Sequence, residues 1–138
     1  MTNEIPADVQ EFATALFNMA RSGDLQLLEY VDAGVDVDLT NQDGNSVLML
    51  AAYEGHEKLV RGLLERGASV DKQNARGQSI LAGAVFKGEE TIARMLIDAH
   101  ANPDAGHPSA RETAQMFGRA ALLEAMATTR PTNPGHDA

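Results

Sequence analysis

A repeat period of about 33 residues constrains this chain more than any other feature of its sequence. Gly44 and Gly77 lie one period apart, and so do Gly55 and Gly88. The segment Gly-Val-Asp-Val-Asp at 34–38 is followed after the same interval by Gly-Ala-Ser-Val-Asp. Independent markers with one spacing indicate repeated structural units, each of which must stack on its neighbours because it cannot bury its own apolar face.

The period divides the chain into four units, with a slightly shorter spacing in the outer two. We expect a repeat domain over 5–127, made of units at about 5–38, 39–71, 72–104 and 105–127. The remaining segment, 128–138, holds two Pro, one Gly and almost no apolar side chain. A terminal segment of this composition is predicted to be a disordered tail.

The apolar residues inside each unit follow a helical period. Leu59, Val60, Leu63 and Leu64 recur at i, i+1, i+4 and i+5, which is one face of a helix. An earlier helix is predicted in every unit, at roughly 6–22, 46–54, 79–87 and 109–117. Each unit therefore consists of a helix, a tight glycine turn, a second helix and an extended turn.

Residues that begin and end helices stand at matching positions in the units. Ser46, Ser79 and Ser109 share one register and fit helix N-caps, and Ser109 with Glu112 has the spacing of a capping box. Gly67 stands just past the end of a predicted helix, which is the place of a left-handed C-terminal glycine. These local signals support the same division into helices as the apolar period.

The second unit carries the most specific motif. Residues 41–52 read Asn-Gln-Asp-Gly-Asn-Ser-Val-Leu-Met-Leu-Ala-Ala, followed by Gly-His at 55–56, Leu-Leu-Glu-Arg-Gly-Ala at 63–68 and Val-Asp at 70–71. This unit resembles an ankyrin repeat, whose family pattern runs Gly-x-Thr-Pro-Leu-His-x-Ala-Ala, then Gly-His, Val-x-x-Leu-Leu and Gly-Ala-x-Val-Asn. The resemblance covers about 5–127 and implies an all-α solenoid of stacked helix-turn-helix units joined by extended β-turn loops.

Two positions depart from the family pattern. Val47 and Ile80 stand where the family has Pro, and Met49 and Ala82 stand where it has His. That His ties neighbouring repeats together by hydrogen bonds in the family. Its replacement implies a somewhat weaker stack in this chain.

The resemblance also implies where a partner binds. In this family the concave side, made of turn tips and inner helices, commonly carries partner contacts. By register, the positions on that side are Arg21, Gln42, Asp43, Asn45, Tyr53, Glu54, Arg76, Gln78, Phe86, Lys87, Met116 and Phe117. The tip positions among them are expected to be exposed.

Tyr53, Phe86 and Met116 occupy one position in successive units, with Phe117 beside the last of them. We call these four residues the ladder. If the ladder residues are exposed, they are suited to act as the anchors of a binding face. The alternative is that one or more of them tuck into the groove between units, since the chain has only 4 Phe, 2 Tyr and no Trp and sparse aromatics are drawn to cores.

Composition excludes several other classes of function. The chain has no Cys, and therefore no disulfide, thiolate metal site or Cys nucleophile, which is compatible with a reducing cytoplasm. A net charge of −9 opposes binding to nucleic acid and to anionic membranes. No stretch is long and apolar enough for a membrane span, and no secretory signal is visible. We therefore expect a cytoplasmic protein.

The histidines and carboxylates do not form a known reactive motif. His56 begins like a helical zinc site, but position 60 is Val, so the better reading is a repeat turn in which its imidazole bonds loop carbonyls. His100 and His107 stand near Asp104 in the sequence, and we expect their side chains to be solvated rather than bound to a metal ion. The acidic loop around Asp36 lacks the order of a calcium loop, although an acidic patch for a basic partner stays open. No catalytic, cofactor-binding or metal residue is predicted.

The sequence thus predicts a non-catalytic module that binds another protein on its concave face, as an adaptor, an inhibitor or a stabilising partner. The partner class is protein, with no nucleic acid and no membrane. Two alternatives stay open. The chain could self-associate as a homo-oligomeric structural protein, although a monomer is favoured, or, less favoured, it could be an enzyme.

Overall fold

Helices make up the regular structure of residues 7–129, which are the residues that the computed structural model describes, with side chains described from 8 to 127. In that range there is no strand, and Thr40 and Ser46 form an isolated antiparallel bridge. The helices are α1 Ala7–Ser22, α2 Gln26–Asp32, α3 Val47–Tyr53, α4 Glu57–Glu65, α5 Ile80–Lys87, α6 Glu90–Asp98, α7 Ala110–Met116 and α8 Ala120–Thr129. The all-α prediction is confirmed.

The helices stack in two rows. Helix α1 packs on α3, α3 on α5 and α5 on α7, and we call these four helices the inner row. Helices α2, α4, α6 and α8 pack in the same succession and form the outer row. The two helices of each consecutive pair also contact each other, so four helix pairs repeat along one direction as the predicted solenoid requires.

Both rows bury large apolar side chains, and the inner row also buries a set of alanines. The inner row buries Ala51, Ala52, Ala84 and Ala114 completely or almost so, and side chains this small let neighbouring helices approach closely. The outer row buries Leu59, Leu63, Ile92 and Leu96 at its helical period. Burying each large apolar side chain contributes about 1.5–3 kcal/mol, so one continuous core holds the stack together without Trp.

Serine side chains start three of the inner-row helices. Ser46, Ser79 and Ser109 have extended backbone, and each Oγ accepts a hydrogen bond from the N–H three residues ahead, at 3.0–3.1 Å. The Ser109 N–H also donates to Glu112 Oε1 at 2.9 Å, which completes the capping box. The three predicted N-caps are confirmed.

A histidine links the first two helix pairs. His56 Nε2 lies 2.6 Å from the carbonyl oxygen of Arg21. Because a carbonyl only accepts, Nε2 carries the hydrogen. The ring lies against Gly23, whose φ is +76° and whose hypothetical Cβ would be 2.5 Å from His56 Nδ1. The imidazole was predicted to bond a loop carbonyl, but its partner is a carbonyl in the last turn of helix α1.

Loop carboxylates link successive pairs in the same way. Asp38 accepts hydrogen bonds from the backbone N–H and the hydroxyl of Ser69, at 2.8 and 2.9 Å. Asp71, one period later, accepts from the backbone N–H of Asn102 at 2.8 Å. Repeated acidic residues therefore have a structural role in holding the extended loops together.

Helix α8 extends into the segment that the sequence assigned to the tail. It continues to Thr129, two residues into the segment 128–138 that is predicted to be disordered. Residues 130–138 of the predicted tail, and the predicted helix start at residue 6, lie outside the described residues.

Candidate functional site

An open hollow of about 430 Å³ runs along helices α3, α5 and α7 and the loops that precede α5 and α7. The ladder residues form its walls. The other lining residues are Met49, Arg76, Gln78, Ser79, Ala82, Gly83, His107, Pro108 and Thr113. We call it the larger hollow.

A second hollow of about 240 Å³ lies between the loop tips of the second and third helix pairs. It shares Met49, Tyr53, Arg76 and Gln78 with the larger hollow. Its own lining residues are Asp43, Asn45, Leu50, Glu54, Asn74 and Ala75. Because the two hollows share a wall, they form one continuous depression, which we call the inner-row groove.

The ladder side chains are exposed rather than tucked between helix pairs. The exposed fraction is 40% for Tyr53, 56% for Phe86, 66% for Met116 and 49% for Phe117. These fractions decide between the two alternatives that the sequence left open. Four large apolar side chains on one face are an unusual concentration for a solvent-facing surface.

Contacts between neighbouring pairs hold the rings in place. Phe86 and Phe117 meet edge to face, with centroids 5.7 Å apart and ring planes at 69°. The Lys87 ammonium lies 4.4 Å from the centroid of the Tyr53 ring, a cation–π contact. Each contact joins one helix pair to the next, so the walls of the groove are fixed by the stack itself.

Small residues on helix α5 create the space between the walls. A Cβ added at Gly83 would lie 3.4 Å from Tyr53 Cδ1, so the ring rests directly on this glycine. Ala82 lines the floor beside it. Sequence reasoning did not assign Ala82, Gly83 or Met49 to the site. The available signal was that Met49 and Ala82 replace the histidine of the resembled family pattern, which removes a polar ring from this surface.

Most of the predicted binding residues meet in the groove. Those that line it are Asp43, Asn45, Tyr53, Glu54, Arg76, Gln78, Phe86, Met116 and Phe117. Arg21, Gln42 and Lys87 are exposed but line neither hollow. The Arg21 guanidinium instead donates to Asn18 Oδ1 at 3.2 Å, within its own helix.

Asn45 is not an exposed tip, and that expectation is wrong. It is half-buried, and its Oδ1 accepts a hydrogen bond from Asn74 Nδ2 at 2.9 Å. Asn74 Nδ2 also donates to Gln78 Oε1 at 2.7 Å, and the Ala75 N–H donates to the carbonyl of Asp43 at 3.0 Å. The amide of Asn45 is therefore used to join two adjacent loop tips.

Positive charge marks the rim of the larger hollow. Arg76 is the cationic side chain among its lining residues, and these include neither Asp nor Glu. The smaller hollow holds Asp43 and Glu54 on the other side of Arg76. Charge therefore changes sign along the groove.

The groups with shifted pKa values lie away from the groove. A hydrogen bond from Arg66 at 2.8 Å lowers the pKa of Asp32 and raises that of Arg66. A hydrogen bond to Asp104 likewise raises the pKa of Arg111. These pairs connect helices and loops, and nothing in their geometry indicates acid–base chemistry.

Neither a metal cluster nor a membrane-spanning helix occurs in the part of the chain that the structure describes. No three His, Cys, Asp or Glu side chains there are grouped so as to hold a metal ion. None of the helices between residues 7 and 129 is long and apolar enough to cross a bilayer.

Comparisons with known proteins agree on one family. The family model for ankyrin repeats, in three copies, matches residues 16–107. A curated protein of Pseudomonas aeruginosa, named as an ankyrin repeat protein, is 44% identical over 59 residues, which is 42% of this chain and 34% of the relative. The chain thus spans about a third of the length of the curated relative that it matches.

Proposed function

This chain belongs to the ankyrin repeat family, and from that premise we propose that it binds another protein through the inner-row groove. Ankyrin repeats are generally non-catalytic protein–protein interaction modules. The observation that carries the proposal is the exposure of all four ladder residues around a hollow of about 430 Å³. The site comprises the predicted residues that line the groove, with Arg21, Gln42 and Lys87 at its margin.

Fixed side chains support a binding role for this face. Rings that already pack on neighbours, as Phe86 does on Phe117, lose little conformational freedom when a partner arrives. The chain then acts as an adaptor, an inhibitor or a stabilising partner, with no chemistry of its own. The proposed compartment is the cytoplasm, with which a chain without Cys is compatible.

A fourth repeat at 105–127 is part of the same proposal, within a repeat domain over 5–127. The match to the family model ends at residue 107. Beyond it, helix α7 starts at a serine cap like those of α3 and α5, and it packs on α5 as α5 packs on α3. The ladder residues Met116 and Phe117 belong to this proposed repeat, which therefore contributes one wall of the groove.

A quantitative pull-down tests the proposed function. The whole protein, Tyr53→Ala and Phe86→Ala serve as baits in extract of the source cell, with Leu25→Ala as a matched control because Leu25 is an exposed apolar residue outside the groove. Losing an interface anchor costs about 1–2 kcal/mol or more, so specific preys should fall about fivefold or more with the ladder variants. Far-UV circular dichroism should show unchanged helix content.

The proposal fails if capture is the same with all four baits. A loss with Leu25→Ala but not with Phe86→Ala would move the binding face from the groove to the first helix pair.

Self-association is a second candidate, favoured by a separate observation. Val9, Phe12 and Leu25 are exposed on the first helix pair, at one end of the stack. An apolar end of a repeat stack can be covered by a second copy. Light scattering across concentrations should then show a mass that rises with concentration, and less so for Phe12→Ser. A constant monomer mass would contradict this candidate.

A further inference from the structure

We propose that the inner-row groove binds a peptide segment of a partner protein in which a large apolar side chain stands within a few residues of an Asp or Glu. The apolar side chain enters the larger hollow and the carboxylate meets Arg76. This inference rests on the function proposed above and specifies the chemistry of the partner.

The walls of the larger hollow select an apolar side chain. Phe86, Met116 and Phe117 face it from two helix pairs, and Ala82 and Gly83 leave its floor open. Its volume of about 430 Å³ falls within the common range of ligand pockets, roughly 300–1,000 Å³. Such a surface gains most by covering apolar area, and aromatic and Met walls adapt to aromatic or aliphatic side chains.

The charges of the groove select a carboxylate. The chain carries 20 Asp and Glu against 11 Lys and Arg, yet the side chains around the larger hollow include no acid. The ion pairs of the described residues use Arg66, Arg94 and Arg111, so the Arg76 guanidinium keeps its donors available. Its backbone N–H is fixed by Asn74 Oδ1 at 3.0 Å, which positions the side chain at the rim. A guanidinium in this setting favours a bidentate carboxylate.

The acidic residues on the other side of Arg76 give the segment a direction. Asp43 and Glu54 line the smaller hollow, where a second carboxylate of the partner would be repelled. The Lys87 ammonium, over the Tyr53 ring, adds positive charge near the shared wall. The acidic residue of the partner therefore lies between its apolar anchor and a neutral or basic side chain.

Two other occupants of the groove are compared with this partner. Residues 130–138 of this chain, Arg-Pro-Thr-Asn-Pro-Gly-His-Asp-Ala, contain no large apolar side chain. A second copy offers Val9 and Phe12 on helix α1, which are exposed and adjacent in sequence to Asp8 and Glu11, so this occupant is separated by experiment. Light scattering on the same samples detects that occupant, and a concentration-dependent dimer that Arg76→Glu disrupts would overturn the proposal.

The test uses a phage-displayed library of random dodecapeptides selected on the whole protein. Enriched sequences are synthesised with a fluorescent label, and their affinities are measured by anisotropy. We expect them to combine a large apolar residue with a nearby Asp or Glu. Arg76→Glu should weaken their binding about tenfold or more, because attraction becomes repulsion. Arg61→Glu, the same charge change at an exposed site on helix α4 outside the groove, should change it less than about twofold.

A charge swap makes the test specific. Peptides whose Asp or Glu is replaced by Lys should bind the wild type weakly and Arg76→Glu better than they bind the wild type. Some peptides could bind Phe86→Ala weakly but bind Arg76→Glu as well as the wild type, or could contain no Asp or Glu. Either result would overturn the proposed partner chemistry while still supporting binding in the groove. This proposal is overturned if the affinity of the peptides is unchanged by both variants, or if selection gives no enrichment over blocked plates. An affinity that Phe86→Ala leaves unchanged would count against the proposed function as well.

Discussion

Replacing Gly23 by Ala should show how strongly the first two helix pairs are coupled. Gly23 has a φ of +76°, which side chains of L residues rarely adopt. The new Cβ would lie 2.5 Å from His56 Nδ1 and 2.7 Å from His56 Cγ. The imidazole cannot move aside without losing a hydrogen bond, because its Nε2 is held at 2.6 Å from the carbonyl of Arg21.

Two contributions add in this variant. A left-handed backbone costs about 1–2 kcal/mol for a residue with a Cβ. Displacing the ring breaks its hydrogen bond, which contributes about 0.5–1.5 kcal/mol. We therefore expect Gly23→Ala to lower the free energy of unfolding by about 2–3 kcal/mol. Gly67→Ala isolates the first contribution, since Gly67 has a φ of +85° and nothing within 4 Å of its hypothetical Cβ.

A double-mutant cycle with His56→Ala separates the two contributions. Urea unfolding followed by circular dichroism gives the free energy of each variant. In the His56→Ala background, Gly23→Ala should cost only as much as Gly67→Ala, with a coupling of about 1 kcal/mol between positions 23 and 56. Fully additive effects, or equal costs for Gly23→Ala and Gly67→Ala in the wild type, would refute the idea that this imidazole joins the pairs.

Three further predictions follow from local geometry. Gly83→Ala should raise the free energy of unfolding by about 0.5–1 kcal/mol in the same urea assay, because alanine favours helix and its Cβ meets Tyr53 at an ordinary 3.4 Å. Ser109→Ala removes a helix cap and should cost about 1 kcal/mol, with faster amide exchange in helix α7. Arg66→Gln should bring the pKa of Asp32 back up towards its ordinary value in an NMR titration. Since a lowered folded-state pKa stabilises the protein above the unfolded value, that stability is lost as pH falls through the folded-state pKa, and Arg66→Gln should flatten this acid dependence.

The sequence was sufficient for the parts of the fold that depend on near neighbours. A serine cap needs only its own backbone and an N–H three residues ahead, so Ser46, Ser79 and Ser109 were recognisable from their register alone. The same holds for Gly67, which ends helix α4 with a positive φ. The repeat period then places these local structures in a row.

Contacts between helix pairs were less predictable, because a period gives the order of the pairs but not the distances between their side chains. Asn45 looked like a free tip residue, yet its amide oxygen accepts from Asn74 at 2.9 Å. The cation–π contact of Lys87 with Tyr53 is of the same kind, since it depends on how helices α3 and α5 lie side by side. Only the coordinates of both pairs determine such distances.

The ladder lies at the surface of a closely packed inner row. Ala51 and Ala84 are fully buried, and their small side chains let helices α3 and α5 pack closely. Tyr53 and Phe86, which follow these alanines by two residues, lie at the surface, where the floor of Ala82 and Gly83 leaves a hollow between them. The groove is built by the same packing that stabilises the stack, so the proposed partner would meet a surface that is already formed.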